Sequence, residues 1–149
     1  MILADVDALI YAFRPQSPFH ALARDALTTY RDRGDLLVMT DVAASFVRIV
    51  TETRVRSEAD TPGEALDFVQ ALTWEGHFLR EGRVSRWRVF RDLHERIEIT
   101  GTLVPDALLA ATSIDFDAAL LTADRGFLSF PGLRIHLMTP AGIIDHVVL

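Results

Sequence analysis

The chain has 149 residues, a net charge of −6, and neither cysteine nor lysine. The missing cysteine excludes disulfides, zinc thiolates and a cysteine nucleophile together, and the acidic balance excludes a uniformly basic nucleic-acid binder while leaving a locally basic one open. A chain of this length buries roughly 68–70% of its unfolded surface in one core, so residues 1–149 are read as a single domain.

The elements follow in chain order. ILADV (2–6) is a short apolar run and reads as a first strand. The opening MILADVDALIYAF carries acids at positions 5 and 7 and no basic region, which makes a poor signal peptide, and it is too short to span a bilayer. The expectation is a cytoplasmic protein that makes no use of a membrane. DALIYAF (7–13) reads as a short helix broken by Pro15 and Pro18. An amphipathic helix follows over 19–33 and stops at Gly34. LLVM (36–39) is a second strand. Thr40 or Asp41 caps a helix running to 53, whose apolar residues recur at helical spacing. Over 61–74 the pattern is a capping box: Thr61 as cap, Pro62 at the first helical position and Glu64 three after the cap. A further amphipathic helix covers 85–97, then a helix over 105–116, a strand over 118–122 and a strand over 133–137. The tail from Pro140 reads as one more short helix.

Strands alternating with helices predict a parallel sheet covered on both faces. In such sheets the ligand crevice lies beyond the carboxyl ends of the strands. Asp5 and Asp124 each follow a predicted strand, and Asp106 sits in the first turn of a helix. Each has a bland reading alone: Asp106 as a charge favoured at a helix N-terminus, Asp124 as a turn residue. Asp7 reads as a helix cap, and Asp115 and Asp117 as solvated turn residues. Jointly, three acids from distant parts of a chain without lysine leave only arginine or a cation to meet them. Hard oxygen ligands suit Mg²⁺ or Mn²⁺. A metal so held activates water and stabilises charge on a phosphate, so the reaction class is metal-assisted phosphoester hydrolysis. The Asp-x-Asp of LADVD also occurs in haloacid-dehalogenase-like phosphatases, but that reading needs a downstream lysine. No G-x-S-x-G, P-loop, G-x-G-x-x-G or H-E-x-x-H is present, and the five histidines are scattered and carry no assigned role.

Four stretches, DVDALIYAFRPQSPFH, FVRIVTETRV, GTLVPDALLAA and TADRGFLSFPGLR, in this order and spacing, resemble the PIN-domain toxins of VapC type, closest to a mycobacterial-type subgroup. The resemblance runs over nearly the whole chain. It implies a PIN-like three-layer α/β/α fold with a central parallel sheet. It also implies a Mg²⁺- or Mn²⁺-dependent endoribonuclease acting on structured RNA such as tRNA or rRNA, a cognate VapB-type antitoxin, and a toxin homodimer. Asp5, Asp106 and Asp124 match the family acids that bind metal and catalyse. Thr122 matches a hydroxyl residue that supports the acids by hydrogen bonding.

Two departures stand out. Many family members carry Glu in the helix after the second strand, where this chain has Ser45. The family commonly has Asp where this chain has Gly126. Asp41, one turn before Ser45, is either a cap or a stand-in for the absent carboxylate, with Ser45 holding a metal-bound water. For RNA, six of the fifteen arginines fall between Arg80 and Arg96; that run reads first as an exposed amphipathic helix, while Arg125 lies nearer the crevice. An antitoxin segment would use apolar anchors such as Phe19, Leu22, Phe46 and Val50, most of which must line the core. The competing class is a PIN-fold binding module that holds RNA or an antitoxin without efficient cleavage.

Overall fold

The computed structural model describes residues 1–52, 60–74 and 78–149. Thr53, Arg54 and Val55, which end one of the stretches quoted above, lie outside the described residues, as does His77; the helix expected to reach 53 already ends at Val50, capped at Thr51.

Strands β1 (Ile2–Ala4), β2 (Leu36–Met39) and β4 (Ala119–Thr122) are buried at every position. Continuous apolar runs of this kind are what a sheet covered on both faces requires. With β3 (Leu79–Arg80), β5 (Arg134–Thr139) and β6 (Gly142–Val147) they form one sheet in the order β3-β2-β1-β4-β5-β6. β1 lies in the middle, parallel to β2 through Ile2↔Leu36 and to β4 through Ile2↔Ala119 and Ala4↔Leu121. Only the β5–β6 pair is antiparallel among the described residues.

The helices are α1 (Val6–Phe13), α2 (His20–Asp32), α3 (Thr40–Val50), α4 (Pro62–Thr73), α5 (Arg86–Arg96) and α6 (Leu103–Asp115). From β1 the chain steps to β2 and then β3 in one direction, and from β3 it returns past β1 to β4. Right-handed crossovers therefore put α1 to α4 on one face and α5 and α6 on the other. The packing agrees: α1 rests on α2 and α3, α4 on the same two, and α5 on α6. The result is the expected three-layer α/β/α arrangement.

Most expected elements form. The Thr61 capping box is present, with Thr61 Oγ1 accepting from the Glu64 amide and the Glu64 side chain accepting from the Thr61 amide. Gly34 takes φ +73° just after α2, the left-handed turn that ends a helix at low cost. Two expectations fail. The tail is a strand, not a helix: Thr139 and Gly142 pair across the loop Pro140–Ala141, and β6 runs back along β5. Gly142 accepts φ +121° at that corner, and the Ile- and Val-rich segment behind it fits a half-buried strand. The sheet is consequently mixed. Nor does a side chain cap α3. Its N-cap position is Met39, without a side-chain bond, because Thr40 Oγ1 donates instead to the Arg80 carbonyl on β3 at 3.0 Å.

Phe46 and Val50 are fully buried, and Phe19 and Leu22 pack partly against the core. The two buried anchors are thereby removed from any external groove. Phe46 closes a trio with Phe13 and Phe68, each pair of ring centroids 5.3 Å apart. Phe46→Ala is expected to cost about 3–5 kcal/mol in urea unfolding, the usual range for emptying a buried aromatic site. A loss under ~1 kcal/mol would show that this trio does not hold α1, α3 and α4 together.

Candidate active site

The strand order reverses direction at β1 and β4, and the carboxyl ends of those two strands define the crevice expected of an open α/β sheet. Asp5 follows β1 directly. Its amide donates to the Leu121 carbonyl of β4 at 3.0 Å, and its Oδ1 accepts from the Val6 amide at 2.6 Å, so Asp5 itself caps α1. Asp7 is therefore not the cap. It sits in the first turn of α1 and its Oδ2 accepts from the Ala123 amide at 2.8 Å. Thr122, the last residue of β4, stands between the two acids. Its Oγ1 lies 2.7 Å from Asp5 Oδ2 and 3.2 Å from Asp7 Oδ2, and accepts from the Asp124 amide at 3.0 Å. A hydroxyl has one hydrogen to give, so it serves one carboxylate at a time.

The consequence is electrostatic. Asp5 is only 6% exposed. Burial foremost, then the charge of Asp7 and more weakly that of Asp106, push its carboxyl from 3.8 up to about 7 against the bonds from Thr122 and Val6. Burial also raises Asp7 to about 6, opposed by the Ala123 amide and Thr122 and assisted by Asp124. Asp106, half-buried, is raised by burial and by Asp124. Among the described residues no arginine or histidine forms an ion pair with any of these four acids. Asp7 Oδ1 is buried and meets no hydrogen-bond partner among the described residues, though the nearby Ala8 amide still favours the charged carboxylate.

A cleft of about 210 Å³ opens beside Asp5, between the start of α3 and the start of α6. Asp5, Asp41, Ser45 and Asp106 line it together with apolar residues such as Val42 and Leu109. Position 45 thus faces the acids. Asp41 does not cap α3 in the expected way. Its Oδ1 accepts from the neighbouring Val42 amide at 2.9 Å, and its Oδ2 pairs with Arg86 at 3.4 Å. Asp124 does not line the cleft. It is exposed, caps the 3-10 turn Arg125–Ser129, and accepts from the Gly126 amide at 2.7 Å. A Cβ at position 126 would stand 3.0 Å from Asp124 Oδ1, so glycine there allows the carboxylate to fold back onto the turn. Arg125 is exposed beside it, without an ion pair among the described residues.

The donor chemistry fits a hard divalent cation: carboxylate oxygens of Asp5, Asp7, Asp106 and Asp124 that form no ion pair among the described residues, Arg86 pairing only with Asp41 at the cleft edge. Yet among the described residues no three acid or histidine side chains stand close enough to enclose one ion. Substrate or solvent oxygens would have to complete the shell, as is usual for Mg²⁺. Asp7 is the residue that sequence reasoning left out of this group. The Asp-x-Asp spacing was its signal, but an aspartate at a helix start looks the same whether it caps or faces a site.

No family model matches the chain. Ribonuclease VapC43 of Mycobacterium tuberculosis is 36% identical over 136 residues, spanning 90% of this chain and 92% of the relative. Ribonuclease VapC31 of the same species is 30% identical over 142 residues, spanning 94% and 99%. Among solved structures, VapBC2 from Rickettsia felis, bound to a DNA fragment from its promoter, superposes with a TM-score of 0.66 at 17% identity, covering 91% of this chain and 97% of that one.

Because Asp5 and Asp7 hold protons more tightly folded than unfolded, their contribution to stability is full below about pH 4 and is lost as pH rises towards 7. In EDTA, Asp5→Asn should therefore gain on the wild type by about 2 kcal/mol between pH 5 and pH 8, measured by urea unfolding. A difference between variant and wild type that does not change with pH would mean the carboxylates are not in conflict.

Proposed function

The chain belongs to the VapC ribonucleases, and from that membership we propose that it is the toxin of a toxin–antitoxin pair, a Mg²⁺- or Mn²⁺-dependent endoribonuclease that hydrolyses phosphodiester bonds in structured RNA such as tRNA or rRNA. One observation supports the metal dependence: Asp5, Asp7, Asp106 and Asp124 lie near enough around the carboxyl ends of β1 and β4 for their charges to help raise the pKa of Asp5, Asp7 and Asp106, with no ion pair to any of the four and a buried Asp7 oxygen without a hydrogen bond among the described residues. Asp5, Asp106 and Asp124 are the residues that would hold the ion, and Asp7 joins them. A divalent ion supplies there an activated water and stabilises charge on the phosphate. Thr122 keeps Asp5 and Asp7 turned towards each other. Val6 and Ala123 amides fix one oxygen of each. Arg125, exposed beside Asp124, would contact a substrate phosphate.

The partner is an antitoxin. A cavity of about 270 Å³ between the end of α1, α2 and α4 is lined by Phe13, Leu27, Phe68 and Leu72, with Arg24 and Arg31 on the same wall. It suits an apolar anchor from an amphipathic segment. A second reading, a binding module with weak cleavage, rests on one feature: Ser45 occupies the cleft beside Asp5 and Asp106 at a position where many family members carry a glutamate, although the subgroup this chain resembles often lacks it too.

Millimolar Mn²⁺ should raise the melting temperature, with a mass-action stabilisation of about 2.7 kcal/mol at ~100 times Kd, and Asp5→Asn should abolish most of it. RNA hydrolysis should vanish in EDTA and return with Mn²⁺. Ser45→Glu, adding a carboxylate to the cleft, should tighten Mn²⁺ binding in calorimetry. A melting curve unmoved by Mn²⁺ would overturn the metal reading; tight Mn²⁺ binding without hydrolysis would favour the binding module.

A further inference from the structure

Helix α5 breaks a local rule. Arg86 and Arg88 stand in its first turn, where the helix dipole disfavours cations, and no acid accompanies them there. Arg86 is accounted for by Asp41 at the edge of the acidic cleft. The side chains of Arg88 and Arg91 are exposed and form neither an ion pair nor a hydrogen bond among the described residues. Residues 87, 88 and 91 share one face of α5, and Val84 lies in the turn that enters it. Trp87 is 59% exposed and Val84 92% exposed.

The Trp87 ring stacks on the half-buried Phe90 with centroids 5.1 Å apart and planes within 3°, a contact that favours this orientation while the indole remains exposed. The segment feeding α5 is fastened: Arg83 lies 4.0 Å over the Phe116 ring, and Ser85 Oγ donates to Asp115 at 2.9 Å. An exposed aromatic ring flanked by unpaired arginines is the pattern that binds single-stranded nucleic acid, with bases stacking and cations following the backbone. The chain as a whole carries −6, so a polyanion needs such a local patch to approach. The acids of α5, Asp92 and Glu95, come later along the helix.

We propose that the α5 face bearing Trp87, Arg88 and Arg91 is a platform for a single-stranded segment, such as a loop, of the RNA substrate, stacking a base on Trp87 and leading the strand past Arg86 into the cleft of Asp5 and Asp106. The proposal rests on the ribonuclease reading for the identity of the strand, but binding at α5 needs no catalysis.

The test is therefore binding in EDTA to an unstructured RNA of about 12 nucleotides, followed by tryptophan fluorescence. The wild type quenches on binding. Trp87→Phe keeps most of the affinity and loses the quench, which leaves Trp74 as background. Trp87→Ala weakens binding about tenfold, and Arg88→Ser and Arg91→Ser each lower the slope of log K against log salt by about 0.7. Circular dichroism melts confirm that these surface variants are folded. No binding by the wild type, or Trp87→Ala binding as tightly as the wild type, overturns the proposal. So does a Trp87→Ala variant whose only change is its mass in light scattering, since that makes the face a protein contact. RNA hydrolysis with Mn²⁺, assayed separately, tests the ribonuclease reading: the wild type can hydrolyse RNA with no involvement of Trp87, or quench without hydrolysing.

Discussion

One hydroxyl stands between two buried carboxylates. Thr122 Oγ1 lies within hydrogen-bond reach of both Asp5 and Asp7, and it can satisfy only one of them. Two carboxylates in a poorly solvated site cannot both ionise without cost. The protein meets that cost with backbone amides, those of Val6 and Ala123, and with no side-chain cation among the described residues. What remains is a concentration of negative charge that burial intensifies rather than relieves.

The fold exists in large part to place that conflict. The parallel register of β1 and β4 brings Ala4 opposite Leu121, which sets Asp5 and Thr122 side by side one residue on. Asp5 then starts α1, and α1 turns Asp7 back to the Ala123 amide. α6 approaches from the opposite face of the sheet and α3 from the near one, so the cleft at the strand ends receives Asp106 from one layer and Ser45 from the other. Buried apolar residues hold the strands; the polar contacts at their ends decide where charge accumulates. Membership of the VapC ribonucleases gives such a site a substrate rich in phosphate.

Much of this was legible without coordinates. Fully apolar runs such as LLVM can be little else than buried strands here, and Thr61, Pro62 and Glu64 mark their helix unambiguously. The placement of Asp5 and Asp106 followed from strand ends and from the absence of lysine. Other features were hidden for physical reasons. β3 is two residues long, too short to show a period. Pro140 looked like the first residue of a helix, whereas Gly142 and the Ile and Val residues behind it form a hairpin strand. Asp41 looked like a cap because its partner, Arg86, is 45 residues away. Local sequence cannot tell which of the two nearby aspartates, Asp5 or Asp7, caps α1. Within an amphipathic helix Trp87 looks like any other large side chain; only its stack on Phe90 shows where its ring lies.

The central claim is that Asp5 and Asp7 share a charge conflict that a divalent cation resolves. Metal binding to carboxylates that hold protons must release them. Calorimetric titration of Mn²⁺ at pH 6, repeated in buffers of different ionisation enthalpy, counts those protons directly. With Asp5 raised to about 7 and Asp7 to about 6, the account predicts release of about one proton per protein at pH 6, falling towards zero at pH 8, and only about half a proton at pH 6 for whatever Mn²⁺ still binds Asp5→Asn, where Asp7 alone remains. Binding of Mn²⁺ with no proton release at pH 6 would contradict it.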